Sequence, residues 1–264
     1  MFSKFNVELN EATIGYDRFY RIGKDILSKD KTAVHNNLKH YLYNKDSLSA
    51  SLITSDWFPD IEADIFLSHS HADEDTVISF AGWLYESFGL CSFVDSLVWG
   101  YSDELLRIID NEYCKNSTNN YSYKKRNVST SHVHMMLSVA LMKMIDKCES
   151  VFFVNTPNSI ILSDNIGNED STFSPWIYSE IEMTRMIRNK SLLDYRWNTL
   201  MHGYSQALRE NTLKIRYNIT LDDFIDLDDR LLIEWEKQEQ RVLCSFPMDK
   251  LYEITGILEA SING

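Results

Sequence analysis

Glycine, cysteine and proline are scarce in this chain of 264 residues, and their scarcity excludes several kinds of site. None of the nine glycines lies in a G-x-G-x-x-G or G-x-x-x-x-G-K-[ST] pattern, so the chain has neither a redox dinucleotide fingerprint nor a P-loop. The four cysteines lie far apart and form no C-x-x-C pair, which argues against a zinc cluster and against a disulfide framework. Hydride transfer and P-loop ATP hydrolysis are therefore less favoured as functions of this chain.

Long apolar runs and an excess of basic charge are also lacking. No run of about 18 uncharged apolar residues is present, so we expect no membrane-spanning helix. The opening "MFSKFNVELNEA" has no apolar core of a secretory signal, and we expect a cytoplasmic protein. The formal net charge of −13 would repel a phosphate backbone, so nucleic acid is not an expected partner.

The apolar pattern divides the chain into a helical N-terminal extension, residues 1–59, and an α/β domain, residues 60–264. In the extension, "YDRFYRIGKDIL" and "AVHNNLKHYLY" carry apolar residues at helical spacing, and no run is typical of a strand. Beyond it, the short apolar runs "ADIFLSHS", "LCSFVD" and "SVFFVN" alternate with amphipathic helices, one of them capped at Gly89. A candidate strand "LKIRYNI" and two helices, around "DRLLIEWEKQ" and "MDKLYEITGIL", follow. Strands separated by helices predict a parallel sheet.

Two polar stretches interrupt this pattern. Residues 115–131 contain almost nothing apolar, and we predict a solvated insertion that is dispensable for folding. The acidic stretch "LDDFIDLDDR" lacks the glycine and the closing glutamate of a calcium loop, so we interpret it as a solvated helix start.

Ligands bind at the carboxyl ends of parallel strands, which makes the residues after each strand the candidate site. Residues 68–71 follow the first predicted strand, residues 95–100 the second, and the loop before Trp176 the third. The second of these loops ends where Ser102 is expected to cap the next helix. Within it we expect a flexible segment in which Trp99 could stack on a planar ring and Gly100 lets the backbone bend.

The turn after the first strand, "SHSH", offers two histidines and two serines. His69 and His71 could converge on a metal, but no acid or cysteine at ligand spacing accompanies them, and a polar turn between strand and helix is the plainer interpretation. Ser68 and Ser70 lack the G-x-S-x-G elbow of a hydrolase nucleophile. No metal ligand set is therefore predicted.

Glu180 is the most informative acidic residue. At helical spacing its neighbours are Trp176, Met183 and Ile187, so it interrupts an apolar stripe, whereas Glu182 has a basic residue one turn on and is typical of a solvated ion pair. A carboxylate among apolar groups is unfavourable without a partner, and such groups are enriched at functional sites. The alternative is that Glu180 borders the apolar face and extends to water.

In order and character, "ADIFLSHSHADED", "SFVDSLVWGYSDELLRIID", "SVFFVNTPNS" and "SPWIYSEIEM" resemble the motifs of bacterial Toll/interleukin-1 receptor (TIR) domains. The resemblance covers about residues 60–260, loosely after residue 190, and is strongest at the first strand and at W-x-x-x-E. It implies a flavodoxin-like fold that cleaves NAD as substrate, with no other cofactor, to give nicotinamide and ADP-ribose or a cyclic ADP-ribose-type signal. In bacteria this activity serves anti-phage defence, with partners expected to be further copies of the TIR domain and an effector that senses the product.

By this resemblance Glu180 falls on the catalytic glutamate and Trp176 on the aromatic residue four positions before it. Residues 68–71 fall on the turn that lines the NAD site. The segment from Asp95 to Gly100, including Trp99, falls on the BB loop, which gates the site and mediates assembly. The chain departs from the family in lacking arginines in the turn, so His69, His71 or backbone amides would have to hold the phosphates, and in the longer crossover at residues 115–131.

Two other functions remain open from the sequence. One is a TIR adaptor that acts by assembly without catalysis. The other is a nucleoside-processing transferase, since related α/β folds place a glutamate nucleophile near a ribose.

Overall fold

The structure, a computed structural model, describes residues 1–9, 16–28, 41–44, 47–58, 62–116, 119–161, 171–192, 195, 217–218, 221–241 and 246–257. The helices are α1 Tyr16–Ser28, α2 Ala50–Trp57, α3 Glu74–Phe88, α4 Ser96–Ile109, α5 Tyr123–Lys147, α6 Pro175–Met186, α7 Asp229–Arg241 and α8 Pro247–Ile254. The strands are β1 Ser3–Glu8, β2 Leu42–Asn44, β3 Ser47–Leu48, β4 Ile65–Ser68, β5 Ser92–Val94, β6 Ser150–Asn155, β7 Ser171–Thr172, β8 Tyr217–Asn218 and β9 Ile225–Leu227.

Five of the strands form one parallel sheet in the order β5-β4-β6-β1-β9. The three strands predicted after residue 60 are confirmed as β4, β5 and β6. Their residues are buried almost throughout, as expected of strands covered on both faces by helices. The predicted α/β class with a parallel sheet is therefore confirmed.

The sheet reverses its order of growth at β4. This strand pairs with β5 on one side and with β6 on the other, so the chain leaves β4 for one edge and later returns across it. Such a switch point leaves a crevice at the carboxyl ends of the strands, which is where ligands bind in open α/β sheets.

The prediction of a helical extension over residues 1–59 is wrong at its start. Strand β1 pairs in parallel with β6, from Ser3 opposite Ser150 to Glu8 opposite Asn155, and with β9 on its other side. The alternation in "SKFNVE", with Phe5 buried between half-buried or polar neighbours, was the available signal, but six residues are few against the longer helical pattern that follows. Helix α1 confirms the helical pattern of "YDRFYRIGKDIL". Of "AVHNNLKHYLY", residues 33–40 lie outside the described residues and residues 42–43 belong to β2, which forms a short hairpin with β3 and is a correction to the expected helix. Helix α2 lies beyond both of these stretches.

Helix α1 packs closely on α3 through two glycines. A Cβ atom added to Gly23 would lie 2.0 Å from the backbone oxygen of Ile78, and one added to Gly82 would lie 2.0 Å from that of Phe19. The two backbones thus approach each other where neither helix carries a side chain. At the other end of α3, Gly89 is the left-handed cap that the sequence predicts, with φ of 68°.

The predicted flexible loop at residues 95–100 is wrong, because residues 96–100 already belong to α4. Ser102, predicted to cap the helix, lies within it and is buried. A glycine inside a helix is unfavourable by about 1 kcal/mol, a penalty that tertiary packing routinely outweighs.

The segment 115–131 is exposed along most of its described length, as expected of a solvated insertion, but from residue 123 onward it is helix and not loop. Lys115 pairs with Tyr121 in an antiparallel bridge, and α5 begins at Tyr123, about three turns before the apolar pattern becomes visible at Val133. Those turns are not merely solvated: Arg126 forms an ion pair of 2.7 Å with Asp110, and the buried Ser129 hydroxyl donates to the same carboxylate at 2.5 Å.

This contact predicts a difference between two serines of α5. Ser129→Ala should lower the unfolding free energy by about 1–3 kcal/mol, because it removes a hydrogen bond to a buried charged group. Ser131→Ala is the matched control: its exposed hydroxyl donates only to the Asn127 carbonyl, and we expect a change within about 0.5 kcal/mol. Urea unfolding of both variants measures the difference, and equal stabilities would restore the interpretation of a dispensable segment.

The C-terminal predictions have mixed outcomes. The two helices are confirmed as α7 and α8. Of "LKIRYNI", residues 217–218 form β8, antiparallel to β7, and residues 213–216 and 219 lie outside the described residues. The acidic stretch, residues 221–230, is not simply a helix start, because it contains the sheet strand β9 before α7 begins.

Candidate functional site

The candidate site lies at the carboxyl end of β4, at the switch point of the sheet. Ser68 ends this strand and His69 follows it, and they are 2% and 1% exposed. The other two residues of the turn are half-buried: Ser70 accepts a hydrogen bond from the Ala72 amide, and His71 begins a short 3₁₀ turn. The "SHSH" turn thus divides into a buried pair and a half-buried pair.

Glu180 reaches this point from α6. The helix begins after Ser174, whose side chain accepts from the Ile177 amide, with Pro175 in its first turn. Two turns on, Glu180 is 1% exposed, and its Oε2 atom accepts a hydrogen bond of 2.7 Å from the Ser68 hydroxyl. The predicted apolar setting is confirmed, and the alternative in which Glu180 extends to water is wrong.

Glu182 behaves as the helical spacing predicts. Its side chain is one-third exposed and pairs with Arg185, one turn on. Two glutamates separated by one residue are therefore placed in opposite environments by helix geometry.

Asp95 and His69 form a buried ion pair beneath the site. The Nδ1 atom of His69 lies 2.7 Å from Asp95 Oδ1, and both side chains are fully buried. Burial alone would lower the pKa of His69, but the charge and hydrogen bond of Asp95 outweigh it, and the pKa is raised. His69 is thus favoured as the cation of a pair.

Asp95 also acts on Glu180. Burial raises the pKa of Glu180 well above its ordinary value of 4.5, the neighbouring Asp95 carboxyl raises it further, and the Ser68 hydroxyl opposes both. The protonated form of Glu180 is therefore favoured in this conformation. Asp95, expected from the resemblance in a gating loop, is instead a buried partner of two other site residues.

The aromatic candidates are less closely tied to this cluster. Trp176 is partly buried and its ring packs edge-on against His134 of α5, with ring centroids 5.6 Å apart. Trp99 and Gly100 lie in α4, and their side-chain surroundings fall outside what the structure describes. Nothing in the sequence spacing of His134 indicates its contact with Trp176.

A second polar network, missed from the sequence, joins the two strand ends beside the site. Both oxygens of Asp73 accept hydrogen bonds, one of 2.6 Å from Thr156 and one of 2.7 Å from Asn158. Asp73 follows β4 and the other two follow β6, so the network fixes the loops on either side of the switch point. A polar residue after each strand was the only signal for it.

The site is closed in this conformation. Ser68, His69, Asp95 and Glu180 are each 2% exposed or less, so Glu180 is inaccessible from solvent in this conformation. Among the described residues, no group of three or more histidines, cysteines, aspartates or glutamates is arranged to hold a metal ion. Nor does that part of the chain contain a helix long and apolar enough to cross a membrane.

Comparisons with protein-family models, with curated proteins and with solved structures gave no match to this chain. The resemblance to TIR domains thus stays a prediction from the motifs.

The raised pKa of Glu180 predicts how stability depends on pH. The folded protein holds a proton that the unfolded chain releases above pH 4.5, so stability linked to this group is fully present below pH 4.5 and is lost as pH rises through the folded pKa. Glu180→Gln removes this loss, and its gain over the parent should grow with pH by at most about 1.4 kcal/mol per unit. Urea unfolding at a series of pH values tests this, with Glu182→Gln as control. A gain that does not change with pH would contradict a buried, protonated Glu180.

Proposed function

We propose that this chain is a TIR-type NAD glycohydrolase or cyclase of flavodoxin-like topology, with Glu180 as its catalytic residue. The observation that carries the proposal is the burial of Glu180 at the switch point of the sheet, bound to Ser68 at the end of β4. The TIR-like motifs are short stretches of sequence, whereas the contact between Ser68 and Glu180 joins residues far apart in sequence. The motifs and the contact therefore support the proposal separately.

The chemistry explains why one glutamate is sufficient. The bond from ribose to nicotinamide joins a carbon to a cationic ring nitrogen, and its electron pair leaves with the ring, which departs neutral without a general acid. The ribose becomes oxocarbenium-like, as in glycoside cleavage, and a carboxylate beside it stabilises the charge. Water, which loses a proton, or another nucleophile such as the adenine then attacks the anomeric carbon.

The surroundings of Glu180 suit this role. Ile177 and Ile181 of the same helix are buried, and a low-polarity setting strengthens the attraction between a carboxylate and a developing cation. Ser68 fixes one carboxylate oxygen, leaving the other for the ribose. Trp176 lies in the first turn of α6, and we assign it to binding of the nicotinamide end of the substrate.

The closed site agrees with low activity at rest. A cell that contains NAD does not tolerate a constantly active hydrolase, and a fully buried Glu180 is inaccessible until the site opens. We therefore propose a cytoplasmic enzyme of anti-phage defence that is activated by self-association, with an effector downstream if the product is a signal.

The test is to incubate the purified protein with NAD, and separately with nucleosides, over a range of protein concentrations, and to follow release of the base. We expect release of nicotinamide from NAD, with turnover per molecule that rises with protein concentration. Base release from nucleosides alone would favour the transferase. Release from neither substrate at any concentration would favour the adaptor, a function that the closed site also fits. High turnover independent of concentration would refute activation by assembly.

A further inference from the structure

Asp95 lies between a base and an acid in the interior of the site. One of its oxygens is 2.7 Å from His69 Nδ1, and its carboxyl group is also the hydrogen-bonding neighbour of Glu180. His69, Asp95 and Glu180 are all fully buried, and they come from the turn after β4, from the residue after β5 and from α6. Nothing in the cleavage of NAD by a lone glutamate requires this arrangement.

Hydrogen-bond donors near Glu180 are unevenly distributed. Its Oε2 atom accepts from the Ser68 hydroxyl, whereas Oε1 is buried and receives no N–H or O–H donor from the described residues. A carboxylate in such a position is unfavourable. The neighbour that remains is the Asp95 carboxyl, and two carboxyl groups form a hydrogen bond only when one of them carries a proton.

Charge balance leads to the same conclusion. With Asp95 and Glu180 both ionised and His69 neutral, the cluster would carry a charge of about −2 in a setting that excludes water, which is highly unfavourable. The cluster becomes neutral when it gains two protons: one makes His69 an imidazolium beside Asp95, and the other lies between Asp95 and Glu180. Glu74 of α3 adds a further negative charge near His69 and favours the imidazolium. The Ser68 hydroxyl acts on the same pair by donating to Glu180.

We propose that Asp95 is a positioning residue that holds Glu180 through a proton shared between the two carboxyl groups, with His69 as counter-ion. While the proton is shared, Glu180 is fixed and uncharged. When the site opens to substrate, the proton leaves to water, and Glu180 becomes the carboxylate that faces the ribose. The catalytic part of this inference depends on the proposed function, but the shared proton does not.

Infrared spectroscopy tests the shared proton without any substrate. The carbonyl stretch of a protonated carboxylic acid is separate from the bands of carboxylates, and the parent protein at neutral pH should show one such band that Glu180→Gln removes. Asp95→Asn should also remove it, because the amide donates an N–H to Glu180 and no longer needs a proton there. Absence of the band from the parent, or its persistence in folded Asp95→Asn, would overturn the proposal.

The pH profile of NAD cleavage provides the second readout. Asp95→Asn should move the acidic limb of kcat to lower pH by about one unit or more, because Glu180 loses a like-charged neighbour. Ser68→Ala should move the limb to higher pH and retain the band, because it removes the donor that favours the ionised form. Shifts of both variants in the same direction would contradict the shared proton.

If Asp95→Asn does not fold, the infrared band of the parent and the pH profile of Ser68→Ala decide whether the proton is shared. If the parent does not cleave NAD, the proposed function fails, and the band alone decides on the proton.

Discussion

Glu180→Gln is expected to lower kcat for NAD cleavage by about 10²-fold or more, with a smaller effect on KM. Glutamine keeps the shape of the side chain and can still pair with the Ser68 hydroxyl, but it cannot become the anion that stabilises an oxocarbenium-like ribose. The loss therefore reports charge in the transition state and not a disturbed fold. Steady-state release of nicotinamide by variant and parent, at equal protein concentration and several pH values, measures it.

Glu182→Gln is the matched control. It removes one carboxylate from the same helix, two residues on, but its side chain is one-third exposed and pairs with Arg185. We expect activity within about twofold of the parent, as for surface substitutions outside a site. Equal activity of Glu180→Gln and the parent, or a larger loss in Glu182→Gln, would remove Glu180 from the mechanism and favour the adaptor.

Gly82→Ala is expected to destabilise the fold by about 1–3 kcal/mol, the usual effect of overpacking a core. In an isolated helix the same change would be favourable by about 1 kcal/mol. The sign reverses because the new Cβ would lie 2.0 Å from the Phe19 backbone oxygen and 2.7 Å from the Gly23 nitrogen, and backbone cannot move aside as a flexible side chain can. Helix α1 must then move away from α3, with loss of contacts along both.

Gly89→Ala separates this clash from the general effect of replacing glycine. Gly89 has φ of 68° but nothing within 4 Å of an added Cβ, so its replacement carries only the penalty of a left-handed backbone, about 1–2 kcal/mol. Thermal and urea unfolding of both variants should show greater destabilisation in Gly82→Ala. The double variant with Gly23→Ala should be destabilised by less than the sum of the two single changes, because both disrupt the same close approach of α1 to α3. A Gly82→Ala protein as stable as the parent would show that α1 does not pack on α3 at this distance.

The sequence determined those features in which burial is repeated along one element. The strands β4, β5 and β6 are recognisable because helices cover both of their faces, so their residues are apolar without interruption. The apolar stripe around Glu180 is recognisable because helical spacing places its neighbours on one face, and the same geometry separates it from Glu182. In each case the signal and the structure lie within a few residues of each other.

The tertiary structure alone decided which elements meet. The position of β1 between β6 and β9 depends on strand order, which six alternating residues do not encode. The helical state of residues 123–131 is supported by contacts such as that of Ser129 with Asp110, 19 residues away, which outweigh local propensity. The pairing of Ser68 with Glu180 spans 112 residues of sequence. Ser68, His69, Asp95 and Glu180 were each candidates from the sequence, but their hydrogen bonds and shared charge arise only from the register of the strands and the placement of α6, because the energy of a buried polar group depends on partners that periodicity does not identify.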